Sequence, residues 1–104
     1  MNIGKISQFE GRNGPVKNQF LLTEKGEGWN GNFIKRETFQ SYASVIAVRT
    51  VWSDRTDIEL DATYWDYSTT TGKYRNMFLG EDKATTQKKI NSGEYKLSNL
   101  NPIV

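Results

Sequence analysis

The run YASVIAVRTVW at residues 42–52 most restricts how this chain can fold. It is dense in β-branched side chains and nearly continuous in apolar character. That is the pattern of a central strand covered on both faces of a sheet. Ser53-Asp54-Arg55 then reads as a hairpin turn, and residues 56–62 (TDIELDA) alternate with period two. Ile58, Leu60 and Ala62 are expected to face inward, with Asp57, Glu59 and Asp61 facing out. Upstream, residues 17–24 (KNQFLLTE) and about 32–37 (NFIKRE) read as further strands. They are separated by the loop Lys25-Gly26-Glu27-Gly28-Trp29-Asn30-Gly31. Ile3, Ile6 and Phe9 give a weaker strand signal ahead of the turn Gly11-Arg12-Asn13-Gly14-Pro15.

The last third changes period. Ser68, or a threonine just after it, suits an N-cap, and Tyr74, Met77 and Phe78 then share one helical face. Gly80 should end that helix. Asp82 suits the N-cap of a second helix over about residues 83–91, with Ala84 and Ile90 turned inward and Gly93 as its left-handed cap. Residues 94–98 (EYKLS) read as a short closing strand. The expected fold is α+β: a mainly antiparallel sheet of about five to six strands with two short C-terminal helices on one face. The 104 residues fit a single domain.

Composition sets what such a domain can do. Mean hydropathy is −0.71, yet the chain carries three Trp, five Tyr and five Phe and nearly balances 14 basic against 12 acidic residues. This is the reverse of a disordered composition, so the core should be small and aromatic. Histidine and cysteine are both absent. Disulfides, thiolate metal sites, Ser-His-Asp triads, Cys-His dyads and histidine acid–base chemistry are therefore excluded within the chain. No apolar run reaches the length of a signal peptide or a membrane span, so a cytoplasmic location with no membrane contact is expected.

Charge is arranged basic, acidic, basic. Residues 1–50 carry seven basic and four acidic side chains; residues 51–68 carry Arg55 against Asp54, Asp57, Glu59, Asp61 and Asp66; residues 69–104 carry six basic and three acidic. Solvated faces on opposite sides of a small domain explain most such patterns. Asp57, Glu59 and Asp61 could offer oxygens to a hard cation, but their spacing matches no calcium loop, and no metal or other cofactor is expected. Thr69-Thr70-Thr71-Gly72-Lys73 resembles part of a phosphate loop. It lacks the first glycine and ends in Tyr74 where Ser or Thr is required, so a capped helix start is the better reading. An anion on that helix N-terminus is the alternative.

Two segments stand out as binding candidates. Tyr64, Trp65, Tyr67, Lys73, Tyr74 and Arg75 combine rings and cations, as single-stranded nucleic acid or a protein hot spot requires. The same rings could equally be core where sheet meets helix. Trp29, flanked by Gly28 and Asn30-Gly31, either folds back onto the sheet or meets a partner. Lys83, Lys88 and Lys89 give a basic helix face, a set of phosphate contacts if the partner is nucleic acid.

The segments Ser41-Tyr42 with Ile46-Ala47, YWDYSTTTGKYRNMFLGE at residues 64–81, and Ser92-Gly93-Glu94-Tyr95 together resemble a family of small bacteriophage and plasmid proteins of unknown function. The resemblance covers about residues 39–101. It implies a mobile-element protein acting in a bacterial cytoplasm and transfers no catalytic residue. A non-enzymatic accessory protein is therefore expected, one that occludes a host protein or protein–nucleic-acid complex, for example as a host-defence inhibitor of the anti-CRISPR kind. The alternative is a nucleic-acid-binding accessory protein, and an exposed edge strand would permit a homodimer.

Overall fold

The computed structural model describes residues 14–26 and 32–101, together with the backbone of 3–11. Six strands form one sheet in sequence order: β1 (Ile3–Gly11), β2 (Gly14–Lys25), β3 (Lys35–Ser41), β4 (Ser44–Val51), β5 (Thr56–Asp61) and β6 (Lys96–Ser98). The first five pair antiparallel as consecutive hairpins, and β6 joins β5 in parallel. A parallel neighbour needs a crossover. It is supplied by α1 (Thr69–Leu79) and α2 (Lys83–Ser92). The α+β architecture with both helices after the antiparallel strands is the one expected.

The helix boundaries follow the capping chemistry. Ser68 is extended and accepts the Thr71 N–H, while Asp82 does the same for Thr85. Gly80 and Gly93 close the two helices with φ of 71° and 84°, values at which an added Cβ is strained. Tyr74, Phe78 and Ile90 turn to the core as expected, and the other inward positions differ. On α1 the buried stripe is Thr71, Gly72, Arg75 and Phe78, and Met77 is exposed. Apolar periodicity misreads this helix because its central inward residue is an arginine. On α2 the buried residue is Thr86, and Ala84 is exposed. The Thr86 hydroxyl donates to the Glu81 carboxylate at 2.7 Å, which makes the polar side chain the better inward choice.

The 42–52 run holds a single strand as expected, β4, trimmed to Ser44–Val51. Tyr42 and Ala43 form a tight turn, so the central hairpin is β3–β4, and the strand expected at 32–37 lies at 35–41. Ile46 and Ala47 are both fully buried although adjacent. The register explains it: Phe39 pairs Ala47 and Gln40 pairs Val45, so Ile46 is the extra residue of a bulge. The core is Phe39, Ile46, Ala47, Leu60, Phe78 and Tyr95, with Leu21, Ile58, Tyr64, Trp65, Tyr74 and Ile90 packed around it. Phe39 stacks on Phe78 of α1 at 5.8 Å. The helices therefore cover one face of β4, and Val45 and Val48 stay half-buried on the other.

β5 alternates as expected at Ile58 and Leu60, but Asp61 is 1% exposed and Ala62 is exposed. Asp61 faces a turn instead of solvent. Its carboxylate accepts the backbone N–H groups of Thr63 at 3.0 Å, Tyr64 at 2.8 Å and Leu100 at 2.8 Å. Burial opposes its ionisation, and these bonds outweigh burial, so its pKa lies below the ordinary value. The carboxylate stripe is thus broken, and among the described residues no cluster of His, Cys, Asp or Glu could hold a metal ion.

Candidate functional site

The turn that Asp61 organises delivers Tyr64 and Trp65 onto the core, where both are half-buried. Tyr67 stays 44% exposed, edge-on to Tyr64 with centroids 5.5 Å apart. Arg75, expected at the surface, is instead 1% exposed. Its guanidinium donates to the Trp65 carbonyl at 2.8 Å, to Asp66 at 3.1 Å and to the Asn76 side chain at 2.9 Å, and it lies over the Trp65 ring. Arg75 therefore locks the 64–68 turn to α1 and is a structural residue. Tyr74 packs beside the core with Lys73 over its ring.

Asp66 also accepts Lys83 of α2 at 2.6 Å. Burial opposes its charge, but the hydrogen bonds from Lys83 and Arg75 prevail and lower its pKa. These residues border a cleft of about 680 Å³ at the α1 N-terminus, lined also by Ser68, Gly72 and Lys73. Lys73 is exposed and makes no ion pair among the described residues.

The lysines expected as phosphate contacts do not act together. Lys83 is tied to Asp66, Lys88 is exposed, and Lys89 bonds Glu81 at 2.9 Å beside the Tyr95 hydroxyl. Donating to the Glu81 carboxylate pushes the Lys89 pKa up, so its ammonium belongs to the contact between α2 and the segment entering β6. Trp29 lies outside the described residues.

The helix-free face of the sheet carries a feature that alternation arguments missed. Since Leu21 and Phe39 face the helices, Phe20, Leu22, Thr38 and Gln40 face away. Leu22, Thr38, Val48 and Glu59 form one cross-strand row, and Phe20, Gln40 and Val45 the next. Phe20, Leu22, Thr38, Gln40 and Val45 line a groove of about 300 Å³. Beside it, Tyr42 is 49% exposed with φ 54°, a left-handed conformation rare for an aromatic residue. The Gln40 amide donates to the Tyr42 carbonyl at 2.8 Å, which fastens the groove wall to this turn. A signal was present in the strings FLL and SVIAV: apolar neighbours in a strand supply both faces.

Fold and site together define a small α+β protein whose exposed features are a groove on an open sheet face and a cleft at a helix start. The chain matches, over residues 5–94, the model of a family of unknown function, DUF8033, and it belongs to that family. No curated protein and no solved structure matches it. Among the described residues no helix is long and apolar enough to cross a membrane.

Proposed function

We propose that this protein is a non-enzymatic accessory protein of a bacteriophage or mobile element that binds a host protein and occludes its working surface, as a host-defence inhibitor of the anti-CRISPR kind would. The observation that carries this reading is the apolar groove of Phe20, Leu22 and Val45 on the helix-free face, flanked by an exposed Tyr42 in a strained backbone conformation. Apolar patches with polar rims suit protein partners, and tyrosine is favoured at binding hot spots. Strain of this kind persists only where the surroundings enforce it, and it concentrates at functional positions. The backbone of β2–β4 is already paired on both sides, so a partner would engage side chains and not add a strand.

Nucleic-acid binding has less support. Of its five cations, Lys73, Arg75, Lys83, Lys88 and Lys89, three are ion-paired internally. The test is capture from bacterial lysate by the tagged full chain, comparing wild type with Phe20→Asp, Tyr42→Ala and the remote Lys73→Ala. One host protein retained stoichiometrically by wild type and Lys73→Ala, and lost in the two groove variants at unchanged melting temperature, supports the reading. Equal capture by all four proteins, or no stoichiometric partner, overturns it.

A further inference from the structure

We propose that the cleft at the α1 N-terminus binds a phosphate group, with Lys73 as the cation that meets it. The first mark is electrostatic. Lys73, Arg75 and Lys83 line the cleft against one carboxylate, Asp66. The first turn of α1 borders it, and there Ser68 satisfies the Thr71 N–H while N–H groups at a helix start favour anions. The second mark does not depend on the helix. Arg75 lines the cleft while 1% exposed, and its Nε has no acceptor among the described residues. The guanidinium packs against the Gly72 position on the cleft wall, 3.6 Å from where a Cβ would stand, an ordinary contact distance. Within the chain, Asp66 holds the place of an anion, bonding Lys83 and Arg75. Lys83 is exposed and can turn from Asp66 to a dianion, while Lys73 lies over the Tyr74 ring and makes no ion pair among the described residues. Internal pairing leaves no continuous basic track, so the geometry suits one phosphate group and not a strand of them.

The probe is inorganic phosphate titrated into the full chain at constant ionic strength, with chloride as compensating salt. The readout is the backbone amide resonances of residues 69–73. Saturable shifts that weaken about tenfold in Lys73→Ala, and persist in Lys88→Ala, support the site. Shifts that chloride reproduces, or that Lys73→Ala leaves unchanged, overturn it. A nucleoside 5′-monophosphate titrated in parallel distinguishes the source. Tighter binding with movement of the Tyr67 ring signals assigns a nucleotide, and equal binding without it assigns the phosphate group alone. The sheet-face groove plays no part here, so this proposal and host-protein binding fail independently.

Discussion

The Tyr42 N–H donates to the Asn18 carbonyl at 2.7 Å, and both residues hold positive φ, 54° and 64°. One bond thus ties the β3–β4 turn to an irregularity in β2 and fixes the turn beside the groove. Glycine adopts such a φ without strain, a relief of about 1–2 kcal/mol that its greater freedom in the unfolded chain largely offsets. Tyr42→Gly is therefore expected to remain within about 1 kcal/mol of wild type in urea unfolding while losing host-protein capture. Unfolding of the variant at ambient temperature would show that the tyrosine ring is structural.

Arg75 joins α1 to the 64–68 turn from a buried position, with Asp66 as its charged partner. Arg75→Met removes the buried cation, leaving the Trp65 carbonyl without its guanidinium donor and Asp66 with Lys83 alone. A loss of about 3 kcal/mol is expected from denaturant midpoints. A loss below about 1 kcal/mol would contradict the structural role.

Gln19 is fully buried, and neither its amide nitrogen nor its oxygen has a hydrogen-bond partner among the described residues. An unsatisfied buried group costs about 1–3 kcal/mol. Gln19→Met, of similar volume, should therefore raise the melting temperature. A lower value would reveal a hydrogen-bonded water at this site.

Gly26 sits where a Cβ would collide with the Phe33 carbonyl, a backbone atom that cannot swing aside. The Gly26 N–H also donates to the Ile34 carbonyl at 2.9 Å, holding the two segments together. Gly26→Ala should cost about 2 kcal/mol or more in urea unfolding, the scale of overpacking a tight site. A neutral result would mean that the 26–33 contact is readily given up.

The lowered carboxyl pKa of Asp61 fixes the sign of a pH effect. A group whose folded pKa lies below its unfolded value adds stability above the unfolded value and loses it as pH falls through the folded one. The ordinary value is 3.8, and Asp66 and Glu81 shift in the same direction, so stability should fall as pH drops below that region. Asp61→Asn should be less stable at neutral pH by about 1–3 kcal/mol, with a shallower acid decline. Parallel pH profiles for the two proteins would remove Asp61 as a contributor.

Local chemistry by itself determined the class, the helix ends and most of the strands. Ser68, Gly80, Asp82 and Gly93 act within a few residues of chain, where capping geometry is the same in any fold. The alternation at Ile58 and Leu60 likewise needs only a sheet with one buried face. Tertiary structure decided the rest. Whether Arg75 lies in solvent or in the core depends on Asp66 and the Trp65 carbonyl being brought to it. Asp61 turns inward because Leu100, distant in sequence, comes to supply an N–H. The turn at Tyr42-Ala43 trims the start of the apolar run because Asn18 of a neighbouring strand accepts the Tyr42 amide. The open groove follows from both helices packing on one face, which leaves Phe20, Leu22 and Val45 on the other. Each of these outcomes rests on a partner brought close only by folding.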